Sequence, residues 1–226
     1  VDQALAQELS AAFTEYLASL DLQGQGDFGT ISAENYGDYL VQTWLVPSAN
    51  KYLSALSDEE REAYLAENPW LTWTDGTASF TFADYAAQMG RKKSLPAFDA
   101  FDLSTGENIL FGNETTNARH FTDWSAQQAG GDASATIDED VQTLVNLMNP
   151  MYFIAQGCTG CADYWWIRHG TLDSDTGLAI VTDLAIALEN AGKQVNTWLY
   201  WDAGHGADED PEAFVAWIGE ITGYSR

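Results

Sequence analysis

The sequence predicts an α/β fold: a parallel sheet with flanking helices in the last third, behind a mainly helical region. Three observations predict it. Short apolar runs at 151–155, 165–169 and 195–201 read as strands. Helix-period patterns at 180–190 and 210–221 follow two of those runs, and this order suits strands laid side by side in parallel. The first ninety or so residues space their apolar side chains by threes and fours instead of alternating them. The division expected is a helical region at 1–140 and an α/β portion at 141–226.

Taken in order, Ala4, Leu5, Leu9, Phe13, Tyr16, Leu17 and Leu20 mark one face of a first helix. The stretch DLQGQGDFGT breaks it with three glycines. A second helix is expected over 33–45 with Pro47 ending it, then a short one over 49–56. Ser57, with Glu60 three residues on, is a capping box for a helix reaching about residue 66, closed by Pro69. Residues 70–73 and 78–80 look extended, and 81–89 helical. Periodicity fades over 90–140, which is long for a structureless loop. Its aromatics and the basic Lys92, Lys93 and Arg119 argue for an ordered, functional segment. Residues 141–147 look helical, and Gly192 stands where the helix over 180–190 should be capped.

Composition narrows the partners. At 226 residues, 46% hydrophobic and only 19% charged, the chain is no disordered polymer and can build a sizeable core without a metal or disulfide staple. With 34 acidic against 9 basic side chains its formal charge is −25, so nucleic acid and anionic membranes are poor partners. No apolar run approaches the ~18 residues of a membrane span. The acidity suits a secreted protein. Val1, Asp2 and Gln3 open directly into a helical pattern, so no signal peptide is expected there and a mature or processed product is. Cys158 and Cys161 form the pattern CTGC, followed by a strand and not by the helix a redox dithiol wants. A loop disulfide, an inert pair and a redox or metal role stay open on this evidence.

The chemistry gathers after two strands. Behind WWIRH comes GTLDSDTG with Asp173 and Asp175; behind VNTWLYW comes DAGHGADED with His205. Functional groups in open parallel sheets collect past the carboxyl ends of strands. An acid after one strand and a histidine after the next is the tail of the order Ser, Asp, His. The acid fixes the imidazole tautomer, and the imidazole moves the proton of a serine hydroxyl. DSDTG is no EF-hand, because Leu178 and Leu184 stand where a glycine and an acid are needed. No metal and no cofactor is expected. Nor does any GxSxG occur: the serines of VPSAN, KKSLP, DWSAQ and DASAT lack the small neighbours of a nucleophile elbow.

The segments LSAAFTEYLASLDL, YGDYLVQTWLVPSANKYL, LPAFDAFDLSTGENILFGN, HFTDWS, MNPMYFIA, IRHGTLDSDT and WDAGHGADED together resemble the C-terminal part of bacterial tannases and tannase-like feruloyl esterases. The likeness covers essentially the whole chain. It implies the C-terminal half of an α/β-hydrolase with a lid inserted after the nucleophile half, acting on galloyl and related phenolic esters. It makes Asp173 the triad acid and His205 the triad base. It places Lys93, Glu107 and Asp175 at the phenolic hydroxyls, where carboxylates accept and an ammonium donates. Arg168, His169 and His120 match motif positions and are expected to be structural. The family's first strands, oxyanion hole and serine elbow have no counterpart here, so a partner chain carrying the serine is expected, as a heterodimer. The CTGC segment looks inserted relative to the family. A feruloyl esterase, or a non-catalytic binding subunit with an esterase-like shell, are the alternatives.

Overall fold

A computed structural model describes residues 2–224; Val1, with which the polar opening begins, and Ser225 and Arg226 lie outside the described residues. The chain runs through α1 (Gln3–Leu20), α2 (Tyr36–Leu40), a π-helical turn (Val41–Leu45), α3 (Val46–Ala55) and α4 (Asp58–Glu67). The strands β1 (Thr72–Thr74) and β2 (Thr77–Ser79) and the helix α5 (Phe82–Met89) follow. Then come α6 (Gly106–Leu110), α7 (Asp123–Gly130), α8 (Glu139–Met148) and α9 (Pro150–Ala155). The chain closes with β3 (Tyr164–Gly170), α10 (Leu178–Asn190), β4 (Gln194–Tyr200) and α11 (Pro211–Thr222). Among the described residues the content is mixed α/β, mainly helical with two small sheets. No described helix is long and apolar enough to cross a membrane.

Several local expectations hold for the reasons that motivated them. Ser57 caps α4, accepting from the Glu60 N–H while Glu60 reaches back to the Ser57 N–H. Thr81 and Asp84 repeat the device at α5. Gly192, at φ +75°, follows α10 in the left-handed conformation that lets the last turn close.

Two expectations fail. Pro47 does not end a helix. The π turn stands immediately before α3, and Pro47 falls in the first turn of α3. A proline ring crowds the carbonyl four residues back, and a wider turn there relieves the clash. Residues 151–155 are no strand. Asn149 accepts from the Met151 N–H and Pro150 occupies the first turn, so the run MYFIA begins a helix. Five apolar residues are too few for periodicity to tell strand from helix. The parallel sheet therefore has two described strands, β3 and β4, paired from Tyr164 with Gln194 to Gly170 with Tyr200.

By compactness the chain falls into two units, which cut it elsewhere than 140/141. One joins the segment ending at Leu9 to Arg91–Thr159; the other joins Ser10–Gly90 to the chain from Gly160 on. In the second unit Tyr39, Leu40, Leu45, Ala49 and Leu53 are buried along α2, the π turn and α3. α10 crosses between β3 and β4 and buries Ala185, Ile186 and Leu188. Ser48 of α3 donates to the Leu199 carbonyl of β4 at 2.7 Å. Trp70, Phe80, Tyr85 and Trp201 form an aromatic cluster at the end of β4.

The first unit contains the stretch with weak periodicity. It is ordered by a polar centre instead of long helices. The carboxylate of Asp99 accepts from the Phe121 and Thr122 N–H groups, the Thr122 hydroxyl and the Asn108 amide. Arg119 bridges Asp138 and Asp140 and donates to the Phe111 carbonyl. These bonds satisfy buried polar groups that would otherwise be costly.

Candidate functional site

The strands β3 and β4 end side by side, so the loops that follow them start as neighbours. Hydrogen bonds lace the loops together. Thr171 donates its N–H to the Tyr200 carbonyl at 2.9 Å, and Leu172 donates to Ala203 at 2.9 Å. The Asp202 N–H bonds to the Thr171 hydroxyl, and the Tyr85 phenol caps the Thr171 carbonyl at 2.8 Å. Gly170 lies so close to the second loop that a Cβ would run into the carbonyl oxygens of Ala203 and Gly204. Glycine is required there for contact, since it lets the backbones approach.

This lacing brings Asp173 and His205 together. The Nδ1 of His205 lies 3.1 Å from each carboxylate oxygen of Asp173. The Asp173 side chain is 4% exposed and the His205 ring 58%. Asp173 Oδ1 also accepts from the backbone of Asp175 at 2.7 Å and of Thr176 at 2.9 Å. Burial alone would raise this carboxyl, but the Thr176 and Asp175 N–H groups and the His205 and His169 imidazoles outweigh it and hold it below the usual range. An ionised carboxylate facing Nδ1 selects the tautomer with the proton there. The Nε2 lone pair is left to take a proton from another group.

His169 is the last residue but one of β3 and is buried, with its Nδ1 3.4 Å from Asp173 Oδ2. Burial depresses this imidazole; Asp173 partly offsets that and His205 adds to it. This second ring beside the acid is the feature that reading the sequence missed. Its signals were the motif position noted above and the dipeptide His169-Gly170, a ring followed by the residue with no side chain at the close approach. Arg168 points elsewhere. It stacks on Trp166 at 3.4 Å and pairs with Asp210, which also accepts from Tyr200, so it ties β3 to the start of α11.

Asp175 lies beside the pair. One donor atom each from Asp173, Asp175 and His205 falls within 4.8 Å of the others, the single such set among the described residues. Two of the three already bind each other, Asp173 and His205. Ser174, next to the acid in the chain, donates to Asp175 at 3.3 Å. Lys93 and Glu107 belong to the other unit, where their charges come within 3.9 Å and the ammonium sits 4.9 Å over the Phe98 ring. Cys158 and Cys161 are both disulfide-bonded, so neither thiol is free.

No protein-family profile matches the chain, and no curated protein matches it by sequence. Solved structures do. Tannase from Lactobacillus plantarum is 30% identical with a TM-score of 0.81, over 97% of this chain and 46% of that one. Tannase from Fusobacterium nucleatum is 31% identical with a TM-score of 0.79, over 98% of this chain and 47% of that one. A tannin acyl hydrolase solved with ethyl gallate is 30% identical with a TM-score of 0.79, over 97% of this chain and 46% of that one. The chain is thus similar to bacterial tannases over almost all its length, and it spans a little under half the length of theirs.

Proposed function

We propose that this chain supplies the acid–base half of a serine esterase acting on phenolic, galloyl-type esters. The observation that carries the reading is the contact between a buried, ionised Asp173 and the Nδ1 of an exposed His205, in a chain similar to tannases. The chain then corresponds to the C-terminal half of an α/β-hydrolase with its lid, the split expected at 140/141 separating the two. The nucleophile comes from a serine outside these residues, on the N-terminal portion or a partner chain. That agrees with the absence of any GxSxG from the sequence.

In the proposed mechanism the His205 Nε2 takes the proton of that serine as the hydroxyl attacks the ester carbonyl. Asp173 keeps the ring oriented and stabilises the imidazolium. The proton passes to the leaving alkoxide, and an acyl-enzyme remains. Water repeats the cycle and frees the phenolic acid. Lys93, Glu107 and Asp175 hold the phenolic hydroxyls of the acyl group and raise its effective concentration at the carbonyl. Neither metal nor cofactor enters any step. Secretion is supported by the excess of acid and by cysteines in disulfide linkage, which persists in oxidising compartments.

The test measures kcat/KM of the full-length protein, or of this chain assembled with its other half, on gallate, ferulate and simple aryl esters. Gallate is expected to be preferred. Glu107→Ala or Asp175→Ala should cost roughly tenfold or more on gallate, the scale of a lost bond to a charged group, and far less on simple aryl esters. Equal losses on both would remove these residues from substrate binding, and preference for ferulate would change the acyl group assigned.

A further inference from the structure

We propose that His169 is a positioning residue that shares the Asp173 carboxylate with His205 and thereby sets how strongly that carboxylate holds the His205 ring. The inference rests on the role proposed above for His205. The geometry is unequal on the two sides of the acid. Oδ1 accepts from the backbone N–H groups of Asp175 and Thr176 and lies 3.1 Å from His205 Nδ1, while Oδ2 faces both imidazoles, His205 at 3.1 Å and His169 at 3.4 Å. The His169 ring is as buried as the acid itself, at 5% and 4% exposed, whereas His205 opens to solvent. One negative charge thus serves two rings, and only the exposed one can meet a substrate.

The titratable groups around His169 are few. Asp173 lies on the loop after β3, and His205 on the loop after β4. Asp175 stands beside the pair. The phenol of Tyr85, pushed up by burial, stays neutral and is engaged with the Thr171 carbonyl. Burial favours the neutral form of the His169 imidazole over the charged one. The ring still stands with its Nδ1 3.4 Å from Oδ2, near enough to draw on the carboxylate's field. His169 therefore moderates the basicity of His205 without touching substrate. The coupling is reciprocal, and its other side shows at His169, whose imidazole the His205 ring helps to lower.

The three histidines of this chain, His120, His169 and His205, are told apart by their substitutions, which assign each signal to its ring. Imidazole-labelled full-length protein is titrated by NMR as wild type, His169→Phe, His169→Gln and His205→Ala. His169→Phe should move the His205 titration, and with it the acid limb of kcat/KM on a gallate ester, upward by about half a pH unit. His169→Gln keeps an N–H near Oδ2 and should return the titration toward wild type. His205→Ala should raise the His169 titration, which decides the matter if the phenylalanine variant does not fold. An unchanged His205 titration in His169→Phe, or an unchanged His169 titration in His205→Ala, overturns the proposal. The NMR readout needs no ester. Absence of esterase activity would sink the proposed function and leave the coupling measurable, while a missing shift in an active enzyme would sink the coupling alone.

Discussion

Among the described residues two aspartates face histidine rings, Asp99 with His120 in one unit and Asp173 with His205 and the buried His169 in the other, and the pairs with His120 and His205 differ in what surrounds the ring. Asp99 and His120 meet at 2.7 Å with the acid 4% and the ring 17% exposed. Asp173 and His205 meet at 3.1 Å with an equally buried acid but a ring that is 58% exposed. Both carboxyls are held below their usual range against the cost of burial: Asp99 by Thr122, His120, Asn108 and Phe121, and Asp173 chiefly by the N–H groups of Thr176 and Asp175. Around Asp99 almost every donor belongs to the segment the acid organises, so the pair closes on itself and ties α6 and α7 to the chain between them. Around Asp173 the backbone donors secure the acid, and the ring is left with a free nitrogen pointing away. An acid touching an imidazole is thus no mark of chemistry by itself. The mark is a fixed acid with an accessible ring.

The largest effect expected from breaking this contrast is on turnover. In the assembled protein His205→Ala should lower kcat by about 10⁴-fold or more, the scale of losing the base of a triad, while the thermal midpoint hardly moves. His120→Ala should do the reverse, keeping turnover within a few-fold and lowering the midpoint. Similar losses of turnover in both variants would erase the distinction between the pairs.

Next in size is the stability held at Asp99. Asp99→Ala strands several buried donors and should cost about 3 kcal/mol or more in denaturant unfolding. The sign of its pH dependence follows from the depressed carboxyl. The unfolded chain binds the proton more tightly than the folded one, so the stabilisation is present above about pH 4 and is lost as pH falls through the lower folded value. In the alanine variant the acid-induced loss should be correspondingly smaller; an acid transition of unchanged depth would show that Asp99 is not its source.

The smallest effect sharpens the contrast with a third acid, one that has no imidazole. Asp183 on α10 is buried and accepts from the Tyr36 phenol at 2.6 Å. Burial pushes its carboxyl up to about 6, only partly offset by that hydrogen bond. Here the folded chain binds the proton more tightly, so stability is greatest below about pH 4 and declines as pH rises toward 6. Asp183→Asn should raise the thermal midpoint at pH 7.5 by a few degrees, with the gain vanishing below pH 4. Calorimetry showing parallel curves for the two proteins would contradict this.

The legible parts of the fold were those set by neighbours in sequence. β3, β4, α10 and α11 follow from apolar runs and helical spacing, and the Ser57 cap from its Glu60 partner. The geometry of Asp173 and His205 was legible too, because it needs only two loops after two adjacent strands. What stayed hidden depends on contacts distant in sequence or on exceptions to local rules. MYFIA needed Asn149 and Pro150 to decide for a helix. Pro47 needed the π turn before it. The order in 90–140 comes from Asp99 gathering donors across more than twenty residues, which no periodicity records. His169 reached its place beside Asp173 because the chain turns sharply after Gly170, a contact the spacing of four residues did not announce.

The most direct test is labelling of the full-length protein, or of this chain with its other half, by a fluorophosphonate that reacts with activated serines. The label should map to a serine outside these 226 residues, and its rate should collapse in His205→Ala while His120→Ala labels normally. Labelling of a serine within this chain, or at an undiminished rate without the His205 ring, would contradict the account.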